Sequence, residues 1–158
     1  MPLINAETKI PQLLADYVDS RRTALAIPAA TALPFLAGVS GGSKKFPCVV
    51  FHCPDFDMSQ HPERMKLNVE VAYEESASTA ESETENATTA KIRSALADLA
   101  SWNAYLDGLT SGERTGWLIR GTRLMSGGTE INADRQTRRR FTQIEVRVMS
   151  TETVFPAA

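Results

Sequence analysis

The chain has 158 residues and a mass of 17.3 kDa, with 42% hydrophobic and 23% charged residues, which predicts one domain over residues 1–158. A chain of this length buries roughly 70% of the surface its unfolded form exposes, so a core needs neither disulfides nor structural zinc. The 19 acidic and 17 basic residues leave a net charge of −2, which argues against a dedicated nucleic-acid binder or a polybasic membrane-surface protein.

Ile10, Leu13, Leu14, Tyr17 and Val18 recur at helical spacing, with Gln12, Asp16 and Asp19 between them and Pro11 suited to a first turn. They predict a short amphipathic helix from Ile10 to Arg22, ending in a basic pair that favours the helix dipole. Arg21 and Arg22, with the apolar run behind them, also resemble a twin-arginine export signal, a reading that the patterned helix ahead of them disfavours. The run from Ala24 to Val39 is interrupted by Pro28 and Pro34 and falls short of the ~20 residues that span a bilayer. It belongs to an expected extended connector over 24–45, whose apolar part, including Leu33, Phe35 and Leu36, lies over the core or a neighbouring subunit.

Phe46 to Cys53 predicts a first strand, and Met65 to Tyr73 a second, in which Leu67, Val69, Val71 and Tyr73 alternate with polar or small residues. Pro54 to Arg64 reads as a projecting hairpin loop. Residues 74–90 contain only Glu, Ser, Thr, Ala and Asn, and read as an acidic, solvated loop leading into a helix. Ser82 with Glu85 and Ser78 with Glu81 both have capping-box spacing, so the start of that helix stays open. Ile92, Leu96, Leu99 and Leu106 fall on one stripe, flanked by Ala95 and Trp102, and Gly108 supplies a stop. Trp117 to Met125 predicts a third strand, Ser126-Gly127-Gly128 a turn, and Glu130 to Arg140 an extended hairpin. Thr142, Ile144, Val146 and Val148 alternate in a final strand. The expected fold is α+β: a mostly antiparallel four-stranded sheet with two helices on one face, in the order α-β-β-α-β-β, and a long hairpin between the last two strands.

Cys48, His52, Cys53, Asp55, Asp57 and His61 form the densest group of chemically capable side chains. Their spacing does not suit a metal, because adjacent strand residues such as His52 and Cys53 point to opposite faces. No G-x-S-x-G elbow or phosphate-binding glycine loop accompanies the two histidines, so no catalytic, metal or cofactor residues are assigned. Two cysteines fit a reducing compartment. The basic run Arg135, Arg138, Arg139 and Arg140 is the marked local charge asymmetry. It reads either as a solvated hairpin that resists edge aggregation or as an interface meeting Glu81, Glu83 and Glu85 of a neighbouring copy, with bidentate arginine–carboxylate pairing. DNA phosphates are a weaker third partner for it.

With the elements in place, the chain resembles the tail terminator and tail completion proteins of long-tailed bacteriophages from about Ile10 to Met149. The resemblance is carried by the leading helix, the phrase Phe46-Pro47-Cys48-Val49-Val50, and the strand Leu67-Asn68-Val69-Glu70-Val71. The helix Ala90-Lys91-Ile92-Arg93-Ser94-Ala95-Leu96 and the strands Trp117 to Arg123 and Arg139 to Val148 complete it. The resemblance implies a non-enzymatic virion protein of the neck, a ring that caps the tail tube and joins tail to head. Its implied partners are further copies in a ring, by resemblance six, together with the tail tube protein, the head-to-tail connector protein and, as a further neighbour, the sheath protein. It implies no membrane and no cofactor, DNA passing through the lumen without specific binding, and assembly in the host cytoplasm. Another head-to-tail joining protein is the alternative within that class. A small metal-dependent hydrolase built on His52, Asp55, Asp57 and His61, or a cytosolic binding module with an apolar pocket, are the alternatives outside it.

Overall fold

The computed structural model describes residues 6–37, 45–61, 64–77, 83–108, 117–133 and 136–150. Its elements are α1 (Ala6–Ser20), α2 (Arg22–Leu25), β1 (Phe35–Ala37), β2 (Cys48–His61), β3 (Arg64–Ser76), α3 (Glu83–Ala97), α4 (Leu99–Asp107), β4 (Trp117–Asn132) and β5 (Thr137–Ser150). The sheet has five strands in the order β1-β2-β3-β5-β4. All neighbours are antiparallel except β1, which runs parallel to β2. The class is therefore α+β, but the expected four-stranded antiparallel sheet with two helices is corrected, among the described residues, to a mixed five-stranded sheet with four helices. No helix among the described residues is long and apolar enough to cross a membrane.

The fifth strand comes from the apolar connector. Leu33 is buried, and Phe35 packs its ring 5.4 Å from that of Phe51 on β2. The segment has its own core to cover, and burying these side chains there removes them from water without a second chain. Arg22 fixes it in place: Nη1 donates to the Pro28 carbonyl at 2.5 Å, Nε donates to Asp19 at 2.5 Å, and the guanidinium lies 3.7 Å from the Phe35 ring centroid. The arginine pair is thus more than a basic helix end. Ala26, in the left-handed region at φ 54°, closes α2, and its carbonyl accepts from Lys91 Nζ of α3 at 3.1 Å.

The core lies between one sheet face and the helices. It joins Ile10, Leu14, Tyr17 and Val18 of α1 to Val49, Phe51, Leu67, Val69, Ile144 and Val146 of the sheet, with Ile92, Leu96, Trp102 and Leu106 closing it. Tyr17 connects the helices, since its hydroxyl donates to the Ala95 carbonyl at 3.0 Å and its ring sits 4.8 Å from that of Trp102. The single long helix expected after the acidic segment is broken at Asp98. That carboxylate accepts from the Ser101 amide at 3.1 Å and from its hydroxyl at 2.6 Å, capping a new helix instead of continuing the old one. The break changes the helical phase, so Leu99 leaves the stripe and is 39% exposed while Trp102 and Leu106 turn inward.

The sheet is longer than the alternation predicted. β2 passes through Pro54 and ends at His61, absorbing the proline at a register shift between His52 and Asp55, where a ladder amide is not needed. The expected loop from Pro54 is therefore largely strand. β3 likewise extends to Ser76, and α3 begins at Glu83, so the acidic stretch is mostly ordered element. Ser126-Gly127-Gly128 is not a turn but the middle of β4, which runs on to Asn132. Its glycines leave room for neighbours: a Cβ on Gly127 would stand 2.8 Å from Arg93 Nη2 and 2.9 Å from the Phe141 carbonyl oxygen, and one on Gly128 would stand 3.1 Å from the Phe141 ring. The reversal into β5 comes instead after Asn132, which pairs with Thr137.

Candidate interaction surfaces

Strand alternation sends the arginines of β5 to opposite faces of the sheet. Arg138 and Arg140 face the helices and meet Glu85, whose side chain is fully buried in the first turn of α3. Arg138 donates from Nη2 to Glu85 Oε2 at 2.9 Å and from Nε to Oε1 at 3.3 Å, and its Nη2 lies 3.5 Å from Glu75 Oε2 on β3. Arg140 Nε stands 3.3 Å from Glu85 Oε1. Burial pushes the Glu85 carboxyl upward, but hydrogen bonds and charge from Arg138, with the charge of Arg140, outweigh it and hold the group below its ordinary range. Glu75 goes the other way, raised by burial and by the adjoining Glu85 charge. Burial, with the charges of Glu75 and Glu85 adding to it, pushes the nearby Tyr73 phenol up to about 12.

Arg139 points to the helix-free face, in one cross-strand row with Glu74 of β3 and Glu130 of β4. It donates to Glu130 at 2.8 Å and to Glu70, and its Nε lies 3.7 Å from Glu74. These hydrogen bonds raise its affinity for the proton against the opposing pull of burial. The acidic partners expected from a neighbouring copy are thus supplied within the chain: Glu85 holds Arg138 and Arg140, and three other glutamates surround Arg139. Arg135 and Glu81 lie outside the described residues, and Glu83 opens α3.

The apolar candidates also turn to their own chain. Leu33 is in the core and Phe35 packs against it, while Leu36 is half-buried beside Val50 in the β1–β2 pairing. The cysteines serve packing. Cys48 is buried and Cys53 packs toward the core, its thiol donating to the Asp55 carbonyl at 3.1 Å. Burial, with Asp55 and Glu7 nearby, pushes that thiol up to about 11. Among the described residues no group of three or more His, Cys, Asp or Glu side chains could hold a metal ion.

One surface went unread in the sequence. Beside β4 lies a groove of about 450 Å³, lined by Arg93, Leu124, Met125, Gly127, Arg140 and Thr142 among others. Arg93 Nε donates to Thr142 Oγ1 at 2.6 Å and Nη2 to the Phe141 carbonyl at 3.3 Å, which holds its guanidinium against Gly127. The sequence signal for it is the pair Gly127–Gly128, which resembles a turn and lies in mid-strand.

No protein-family model and no curated protein matches the chain. Among solved structures it is similar to a chain of the virion of a native gene transfer agent particle, at 19% sequence identity and a TM-score of 0.55. The match covers 87% of this chain and 93% of that one. At that identity the likeness is one of fold.

Proposed function

We propose that the chain is a structural protein of a phage-like virion, and within that class a tail terminator whose copies form a ring capping the tail tube and joining it to the head. The observation that carries this reading is the fold likeness to a gene transfer agent virion chain along nearly the full length of both. The tail terminator resemblance of the sequence, from the leading helix to the closing strands, adds the position in the particle.

A ring needs two different complementary surfaces on each subunit, related by a rotation that closes. The sheet ends in two different strands, the short β1 and the long β4, so its two margins are unlike. Light scattering on the purified chain at two concentrations and two salt strengths tests the reading, with the tail tube protein added in a second series. The expected mass is a discrete multiple of 17.3 kDa for the chain alone, or that multiple plus the mass of bound tube protein in the second series. A monomer under all these conditions overturns the ring.

A further inference from the structure

We infer that the outer edge of β4 from Ser126 to Asn132, with the groove beside it, receives an extended acidic segment of a different protein. The inference is independent of the ring reading, because it concerns a strand added to this sheet and not the closure of copies.

The backbone is the first argument. Among the described residues β4 is the outermost strand on its side of the sheet, and its register shifts fall after Ile119 and Leu124, leaving Ser126 to Asn132 in regular pairing with β5. Soluble proteins blunt such edges with bulges and charges, because an open edge is a template for another strand. Here the regular segment holds Glu130 as its one charged residue and ends beside Ile131, which is 69% exposed.

Charge identifies the occupant. The charged residues lining the groove are Arg93 and Arg140, with no carboxylate among them. Arg140 shares Glu85 with Arg138, whereas Arg93 donates to two neutral oxygens, those of Thr142 and Phe141. A half-buried guanidinium with neutral partners favours a carboxylate brought by the incoming strand, and such a charge-assisted contact is stronger than a neutral one. Leu124 and Met125, exposed beside Arg93, and Ile131 farther along the edge call for apolar neighbours on either side of that carboxylate. Within the chain's own acidic stretch, Glu74, Glu75 and Glu85 are already engaged with its own arginines.

The test uses the full chain and a fluorescent peptide, acetyl-Thr-Val-Thr-Glu-Thr-Val-Thr-amide, read by anisotropy, with a lysine replacing the glutamate as control. The acidic peptide should bind saturably and about tenfold more tightly than the lysine peptide, the size expected of one charge-assisted contact. Arg93→Gln should weaken it about fivefold, and Ile131→Asp, at an exposed side chain that the fold does not need, about threefold. Hydrogen exchange should slow at amides 126–132 when the peptide is bound. Equal affinity for the two peptides, indifference to Ile131→Asp, protection elsewhere, or no saturation at millimolar peptide would each overturn the inference. So would Arg93-dependent binding of a single-stranded oligonucleotide with none of the acidic peptide.

Discussion

Glu85 and Glu75 share Arg138, yet their environments push them in opposite directions, and this sets two opposite predictions. The depressed Glu85 contributes stability that is present above the ordinary carboxylate range and lost as pH falls through its folded value. Glu85→Gln leaves Arg138 buried without its full partner and should cost about 3 kcal/mol at pH 7, a loss that shrinks towards pH 3. The raised Glu75 binds its proton more tightly in the folded chain, so its charge opposes folding once pH exceeds that raised value. Glu75→Gln should therefore raise the melting temperature at pH 7 and give no gain at pH 4 or below. Thermal unfolding of both variants from pH 3 to 8 checks the pair, and a destabilised Glu75→Gln at pH 7 would refute the account. The sequence displayed the charges of this network but not its address. Opposite charge blocks at 74–85 and 135–140 show that pairing is favourable, and nothing in their spacing says whether the partner is the same chain or another.

At the scale of elements, Asp98 separates two leucines that the helical stripe made equivalent. Leu96 is buried at the end of α3, whereas Leu99 opens α4 on its exposed side. Leu96→Ala should cost about 2–5 kcal/mol through lost burial and the cavity left behind. Leu99→Ser should stay within about 0.5 kcal/mol. Urea denaturation of the two variants reads the difference directly, and equal losses would mean that the helix runs through Asp98 unbroken. The elements themselves were legible wherever periodicity was strong, as in α1, α3, β3 and β5. Legibility failed where a residue has two uses. Asp98 served as a polar helix position in the pattern and as a cap in the structure. Pro54 and the Gly127–Gly128 pair signal turns in isolation, but a register shift accommodates the first and close neighbours use the second. The apolar connector did not reveal the strand Phe35–Ala37, because three residues are too few to show alternation.

For the whole molecule, the order β1-β2-β3-β5-β4 was beyond reach of local pattern because its central seam joins distant stretches of chain. The β2–β3 and β4–β5 pairs are hairpins that meet their partners almost at once, at 61 and 64 and at 132 and 137. Along β3–β5, residue 64 meets 149 and residue 76 meets 137, with α3 and α4 lying between them in the chain. Hairpins of this kind close in about 1–10 μs, while docking the two waits on closure of the long intervening loop. The seam is thus a clock as well as a joint: truncating Val69 or Ile144, which face each other across it, should slow refolding in stopped-flow experiments. Truncating Leu106, in the helix that closes the core from outside, should mainly speed unfolding, and the reverse assignment would move the slow step away from the seam. During the interval before the hairpins dock, both flanks of that seam are unpaired, so the newly made chain is most vulnerable to wrong association at the strands that end up inside the sheet.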